Sequence, residues 1–385
     1  MKPLMRPMKL AGDELIFGQG ALAHLEAIKS KKMVIVLGDD IVYKNGVMDI
    51  VEKHLKKAGT PFKVYMGIEP DPKFSTVLKG AKFMLEEKPD FILAIGGGST
   101  MDAAKAMWIY YEHPEIKDLE TIADKSKFPK LRGKARFGAI PTTAGTASEV
   151  SRSIVITDDV TGYKHGIGNM EMMPDVAILD PVTTLSKPRR LTIETGFDAL
   201  SHALEAFVSS RANVLSDVLA RFAIKEIFEV LPQVINDLKN TELRERMLNA
   251  SLIAGLSFTN VSLGVVHSIS HSLGGVLHLP HGTCNAILLP HVVKYNSQDV
   301  EAKKRYDELA KMLGKKDMVT ALNDLTKVLE FPKTLSEFVK EEDLMAHLDE
   351  IADLSAADGC TKTNPICPTK EQFKKLILLA FHGEK

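Results

Sequence analysis

Asp198 and His202 lie four residues apart in a segment with helical spacing, so their side chains stand on one helix face. His267 and His271 repeat that interval further along, and His278, His281 and His291 follow closely. One carboxylate and three imidazoles make a ligand set for a divalent transition ion. Such a nitrogen-rich set suits Zn2+ or Fe2+ and disfavours Mg2+ and Ca2+, which prefer oxygen. A lone histidine is by itself an ordinary core or surface residue; the paired intervals are what point to a site. Spacing does not choose which of His267, His271, His278 and His281 would bind.

A second chemistry is written in glycine. Gly96-Gly-Gly-Ser-Thr100 follows the apolar run Phe91–Ile95 and opens the helical pattern Met101–Tyr111. Glycines let main chain approach a ligand closely, and a helix N-terminus offers free N–H groups and partial positive charge to a phosphate. The spacing is not the G-x-G-x-x-G of the standard dinucleotide fold. Ser99 with Asp102 three residues on also fits a helix cap, which would make part of this pattern structural. Asp39 follows Gly38 at the end of the run Met33–Leu37, where an acid can accept hydrogen bonds from a ribose hydroxyl. A turn aspartate fits equally well, and the neighbouring Asp40 leaves the position open by one residue. Pro141-Thr-Thr-Ala-Gly-Thr-Ala-Ser148 is a loop of small hydroxyls able to hold ribose, phosphate or amide groups, or simply to cap the next segment.

The elements that must position these residues fall into two kinds. Up to Asp180, β-branched runs (33–37, 62–66, 91–95, 137–140, 153–157 and 176–179) alternate with helical patterns such as 47–58 and 77–87. Nearly continuous apolar strands alternating with helices predict a parallel sheet covered on both faces. Beyond Asp180-Pro181 the patterns are helical: 191–209, 215–238, 245–256, 300–312 and 370–380. The expected organisation is an α/β domain over 1–182 and an all-α domain over 183–385, with a ligand in the cleft between them.

Composition excludes several classes. The chain has 385 residues, 45% hydrophobic and 26% charged, as in a soluble globular protein. Lys plus Arg number 49 against 50 Asp plus Glu, a formal charge of −1, so there is no basic excess for nucleic acid or a membrane surface. Three cysteines are too few for a disulfide framework and fit a reducing compartment. The N-terminus carries no signal-like apolar region, and no uninterrupted apolar run reaches the ~20 residues of a membrane helix. A cytoplasmic protein is expected.

Four motifs in order resemble the iron-containing alcohol dehydrogenase family, of the dehydroquinate-synthase-like fold. They are Gly96–Asp102 with Lys105, Pro141–Glu149, Gly196–His202, and Gly264–Gly274 followed by Leu279–Gly282. The resemblance covers essentially the whole chain. It implies a Rossmann-like α/β domain that binds a dinucleotide and an all-α domain that binds a metal through Asp198, His202, His267 and His281. His271 would then lie beside the ion, near nicotinamide and substrate, as the candidate for proton transfer, and His278 and His291 would be structural. Gly97, Gly98 and Ser99 would cradle the pyrophosphate. Thr142, Thr143 and Thr146 would line the nicotinamide side, Ser151 and Ser153 would lie along the cofactor, and Lys164 would hydrogen-bond its ribose. Asp39 matches the acid of members that prefer NAD(H), so NAD(H) is favoured over NADP(H). The resemblance implies Fe2+, although the ligand chemistry accommodates Zn2+ as well. The implied reaction is hydride transfer between nicotinamide and a small primary alcohol or aldehyde by a homodimer or larger homo-oligomer. The rival readings are a metal lyase of the same fold, disfavoured by the fourth ligand His281 and the long all-α half; a polyol dehydrogenase of that fold, disfavoured by Asp198 paired with His202; and a non-catalytic nucleotide-binding protein, disfavoured by a four-ligand set beside an intact phosphate turn. The chain departs from the family pattern at Thr100, Ala147, Ser153, Asp71 and in Cys360–Ile366, where Ile366 replaces an arginine.

Overall fold

The computed structural model describes residues 8–124, 126–160 and 162–383. The chain divides into two compact units, one of residues 9–187 with 239–249 and one built on 188–238 and 250–385. The first carries β1 (Glu14–Phe17), β2 (Met33–Leu37), β3 (Phe62–Tyr65), β4 (Phe91–Gly96), β5 (Arg136–Pro141), β6 (Ser153–Thr157), β7 (Lys164–Gly168) and β8 (Val176–Leu179). Six of them form a wholly parallel sheet in the order β1-β8-β5-β4-β2-β3.

Every residue of β2 and β4 is buried, as a sheet covered on both faces requires. Val34, Val36, Ile92 and Ala94 face a core shared with the helices Phe74–Glu87 and Gly98–Glu112. Met33, Ile35, Leu37, Leu93 and Ile95 face the opposite core, which includes Val47, Val51 and Leu55 of the helix Val47–Ala58. The chain leaves β2 toward β3 in one direction and leaves β4 toward β5 in the other. The strand order therefore reverses between β2 and β4, and ligands of open α/β sheets bind beyond the carboxyl ends of strands at such a point.

One expectation is corrected. Ser153–Thr157 does not join the parallel sheet; it pairs antiparallel with β7 as a separate two-stranded ribbon. Its alternation of buried Ile154 and Ile156 with half-buried neighbours is the pattern of a strand covered on one face. The four-residue edge strand β1 and the ribbon partner β7 are additions too short and mixed to stand out in the sequence.

The second unit is helical, with no strand among its described residues. Its helices include Arg189–Val208, Val214–Val234, Val265–Leu277, His281–Asn296, Val300–Met312, Met318–Val328, Glu341–Ala357 and Lys370–His382. Side-chain caps set several of their starts. Asn213 and Ser216 form a capping box, Thr369 and Gln372 form another, and Asp299 and Asp317 accept from Ala302 N and Thr320 N. Residues 196–208 of the first of these helices are all buried. Polar side chains on that stretch therefore need partners inside the unit. No single helix among the described residues is long and apolar enough to cross a membrane.

Candidate metal centre and phosphate cradle

Three helices of the second unit bring four side chains to one point. Arg189–Val208 supplies Asp198 and His202, Val265–Leu277 supplies His267, and His281 is the first residue of His281–Asn296. The Nε2 atoms of His202, His267 and His281 lie 3.5, 3.6 and 3.5 Å from the same Asp198 oxygen, Oδ1. Ligands at ~2.1 Å from one ion with tetrahedral angles are about 3.4 Å apart. The buried Nε2 of His267 has no hydrogen-bond partner. Leaving a buried imidazole nitrogen unpaired is costly unless an ion satisfies it. The donor set and its spacing fit a divalent transition metal.

The carboxylate behind His267 was not singled out in the sequence. Glu205 Oε2 accepts from His267 Nδ1 at 2.6 Å and from Gly264 N at 2.9 Å, while Oε1 accepts from Val266 N at 2.6 Å. The contact places the proton on Nδ1 and turns the Nε2 lone pair inward, as outer-shell carboxylates do for metal-binding histidines. A Cβ on Gly264 would stand 3.0 Å from Glu205 Oε1 and 2.5 Å from Asn364 Oδ1, so glycine is what admits both groups to the opening amides of this helix. Asn285, also unanticipated, donates through Nδ2 to Asp198 Oδ1 at 2.9 Å and to His281 Nε2 at 3.1 Å, and Ser270 Oγ donates to its Oδ1.

Charge follows the geometry. Burial alone would raise the Asp198 carboxyl, but the imidazoles of His202, His267 and His281 hold it well below the usual carboxylate range. Burial opposes a proton on His267, yet Glu205 on one nitrogen and Asp198 near the other push it up to about 9. That proton is what a metal cation would displace.

His271 stands one turn after His267, its ring stacked on His281 with centroids 5.4 Å apart. Its Nδ1 lies 2.9 Å from Asp358 Oδ2, and Asp358 Oδ1 accepts from Cys360 N at 2.7 Å. Burial opposes charge on Asp358, but His271 and these hydrogen bonds hold its carboxyl far below the ordinary range. His278 is exposed and ends its helix in a left-handed conformation, φ 55°.

In the α/β unit, Asp39, Gly96–Ser99 and Thr142–Thr146 follow the carboxyl ends of β2, β4 and β5, three adjacent strands. The helix Gly98–Glu112 opens at Gly97 with no side-chain cap, so Ser99 and Asp102 do not form the cap that their spacing allowed. The opening amides are left for another acceptor. A Cβ on Gly98 would stand 2.7 Å from Thr146 Cγ2, so only glycine lets the turn lie against the loop. These features fit a pyrophosphate. Asp102 instead accepts from Ser148 Oγ and Val155 N, at 2.7 and 2.9 Å. Lys105 Nζ donates to Ser148 Oγ at 2.9 Å and Ser151 O at 2.8 Å. Burial pushes Lys105 down to about 8 against the pull of Asp102 and Glu149, and pushes Glu149 up to about 7. This buried network fastens the glycine turn's helix to the threonine loop. Within that loop Ala147 adopts φ 50°, which accounts for glycine being common there in the resembling family.

The other anticipated cofactor residues are dispersed around this edge. Thr142 is buried and its amide donates to Gly96 O at 2.8 Å, Thr143 is half-buried, and Thr146 Oγ1 accepts from Ser148 N. Ser151 is buried with Oγ accepting from Ser153 N, and Ser153 begins β6. Lys164 pairs with Asp71 at 2.8 Å. Asp39 is exposed and accepts from Ile41 N through Oδ1, whereas Asp40 pairs with Lys44 at 2.8 Å.

A metal-type cluster in a helical unit and a phosphate-type turn in a parallel α/β unit recur together in known proteins. Residues 13–181 match the family model described as iron-containing alcohol dehydrogenase, and 192–381 match that of the Fe-containing alcohol dehydrogenase family, C-terminal. The chain is 40% identical to an NADPH-dependent butanol dehydrogenase of Clostridium saccharobutylicum, over 96% of this chain and 97% of that one. It is 38% identical to aldehyde-alcohol dehydrogenase 2 of Entamoeba histolytica over 96% of this chain, but spans only 46% of that longer protein. An iron-containing alcohol dehydrogenase from Thermococcus thioreducens superposes with a TM-score of 0.91 at 33% identity, covering 98% of this chain and all of the other. Matched through both of its halves and along nearly its full length, the chain belongs to the iron-containing alcohol dehydrogenase family.

Proposed function

We propose that the chain is an Fe2+-dependent, NAD(H)-preferring dehydrogenase of small primary alcohols and reductase of the matching aldehydes. Asp198, His202, His267 and His281 hold the ion in this reading, with Zn2+ the competing metal. Alcohol dehydrogenase activity follows from the family. The observation that carries the site assignment is the convergence of three imidazole Nε2 atoms on one carboxylate oxygen, with a buried Nε2 left unpaired. When bound, the ion supplies Lewis acidity toward the substrate oxygen and the nicotinamide takes or returns the hydride.

The chain's own residues do the rest. Glu205 holds the His267 tautomer and Asn285 steadies Asp198. Asp358 orients His271, whose Nε2 is assigned to take and return the hydroxyl proton. The amides of Gly97, Gly98 and Ser99 bind pyrophosphate. Thr142, Thr143 and Thr146 line the nicotinamide side, and Ser151 and Ser153 lie along the cofactor. Lys164 reaches a ribose by exchanging its Asp71 partner. The NAD(H) preference rests on the exposed Asp39 carboxylate, which repels a 2′-phosphate. The NADPH dependence of the Clostridium relative argues for testing both dinucleotides, and its name makes butanol and butyraldehyde the first substrates to try. Homo-oligomeric assembly and a cytoplasmic location belong to the same reading.

The test is anaerobic. Metal-stripped protein is reloaded with Fe2+ or Zn2+, mixed with NADH and a series of short aldehydes, and followed at 340 nm. Metal-dependent consumption of NADH with at least one primary aldehyde is expected. Turnover unaffected by stripping, or by His267→Ala, would overturn the ligand assignment.

A further inference from the structure

His271 belongs to a second cluster, of which the proposed reaction uses only a part. One imidazole nitrogen of His271, a carboxylate oxygen of Asp358 and the Cys360 thiol lie within 4.8 Å of one another. Nδ1 is the nitrogen that faces Asp358, 2.9 Å from Oδ2. Asp358 leaves the helix Glu341–Ala357 with an extended backbone, and its Oδ1 accepts from Cys360 N at 2.7 Å. The Cys360 side chain hydrogen-bonds the same carboxylate. This tight turn therefore directs both the thiol and the imidazole at one acid. Hydrogen bonds hold the stretch against the helix that carries His271 and the residues leading into it. Ser355 Oγ donates to Ser272 Oγ at 3.0 Å, Thr361 Oγ1 to Ser268 Oγ at 2.8 Å and Thr363 Oγ1 to Leu263 O at 2.6 Å.

A thiolate, an imidazole and a carboxylate make a three-ligand set for a soft or borderline divalent ion such as Zn2+ or Co2+. Donors around one tetrahedral ion stand about 3.3–3.7 Å apart, inside the span of this cluster. The side chains of His271 and Asp358 are 23% and 20% exposed and Cys360 is half-buried, so an ion reaches them without opening the core. Two anionic ligands neutralise a divalent ion. A second cation can therefore stand near the one assigned to Asp198 and its three histidines without bringing net charge with it.

We propose that His271, Asp358 and Cys360 form a second metal site, and that an ion bound there inhibits the enzyme. The ion takes the place of the hydrogen shared by His271 Nδ1 and Asp358 Oδ2. The thiol gives its proton to solvent, and the imidazole, bound through Nδ1, carries its one proton on Nε2. Nε2 then has no lone pair with which to accept the hydroxyl proton of an alcohol. The site stands on its own geometry, whereas the inhibition rests on the proton-transfer role given to His271 above.

The test titrates Co2+ anaerobically into protein already carrying one equivalent of Fe2+ or Zn2+. The Asp198 site contains no sulfur, so a thiolate-to-cobalt charge-transfer band in the near ultraviolet reports the second site alone. The wild type is expected to bind a second equivalent with that band and to keep its first ion by elemental analysis. Its alcohol-dependent NAD+ reduction should fall about tenfold or more as the band saturates. Cys360→Ser should show no band, bind the second equivalent about tenfold or more weakly, and keep wild-type turnover before Co2+ is added. Cys367→Ser, which removes the exposed cysteine, should keep the band. A wild type without the band, or a band that survives Cys360→Ser, would overturn the site. A saturated band with undiminished turnover would keep the site and remove the proton role of His271. A wild type with no metal-dependent turnover would remove the proposed reaction and leave the band to decide the site. Thermal midpoints of both serine variants identify any loss that comes from misfolding, and the wild-type titration decides the site without them.

Discussion

Glu205→Gln separates a carboxylate that tunes the metal from one that merely fills space. Two oxygens of Glu205 accept three hydrogens, from Gly264 N, Val266 N and His267 Nδ1. Glutamine keeps the shape but has one acceptor oxygen and an NH2 group. Turned so that its oxygen meets Gly264 N and His267 Nδ1, it points NH2 at the Val266 N–H. Turned the other way, it leaves two donors facing a donor. The better orientation still orphans one buried N–H, at a cost of about 1–3 kcal/mol. The thermal midpoint of the metal-free protein should fall by a few degrees. In that orientation Nδ1 keeps an acceptor, but a neutral one, so the imidazole is a weaker base and a weaker ligand. Metal affinity should drop about 10- to 100-fold.

The assay is competition for Fe2+ or Zn2+ against a calibrated chelator, with metal content read by elemental analysis. Glu205→Ala is the harsher control, since it removes all three acceptors. If Glu205→Gln lowers the midpoint while metal affinity stays within about twofold of wild type, Glu205 only staples the start of the Val265–Leu277 helix, and the reasoning about His267 fails.

Three further outcomes are expected. With His267 pushed up to about 9 from 6.5, its proton competes with the ion, so metal affinity should rise by up to about tenfold per pH unit between those values and flatten above them. For the stripped protein the same shift stabilises fully below pH 6.5 and is lost as pH rises through 9, so its midpoint should decline across that window; a flat profile in both measurements would contradict the placement of the proton. His271→Ala should keep metal content near wild type while turnover falls about 10²–10⁴-fold, and loss of metal would make His271 a ligand instead. Asp39→Gly should move the ratio of catalytic efficiencies toward NADPH; an unmoved ratio would mean that the ribose is read elsewhere.

Strong local periodicity made the parallel sheet, the glycine turn and most helices legible before any coordinates. Two side chains of the candidate metal centre were not, because their contacts depend on distant chain. Glu205 lies seven residues after Asp198 on the same helix face, a signal available in the sequence, but its value depends on amides some sixty residues away. Asn285 repeats the four-residue interval from His281 and reads as an ordinary core amide until Asp198 is placed beside it. The departure at Asp71 also gains meaning in space. Asp71 adopts φ 53°, which asparagine and aspartate tolerate, and it pairs with Lys164. Asn364, which keeps the family pattern within Cys360–Ile366, accepts from Val265 N and so shares with Glu205 the opening of the helix that carries His267.

The choice among the histidines shows where periodicity stops and chain geometry takes over. In one unbroken helix, 267, 271 and 278 would share a face, since eleven residues at 3.6 per turn make about three turns. By that measure His278 is at least as good a candidate as His281. The helix ends instead at Leu277, and His278 turns left-handed at φ 55°, which carries its side chain out to solvent. Pro280 then caps a new helix in extended conformation, and His281 becomes its first residue. The break costs one left-handed non-glycine residue, on the order of 1 kcal/mol. In return it redirects the chain and brings the His281 ring to 5.2 Å from the His267 ring, centroid to centroid, with Nε2 toward Asp198. A fourth side chain supplied to the cluster from a separate helix ties the placement of the two later helices to each other in a way that one on the same helix could not. The sequence signal for this arrangement is therefore the Leu279-Pro280 interruption rather than the histidine spacing.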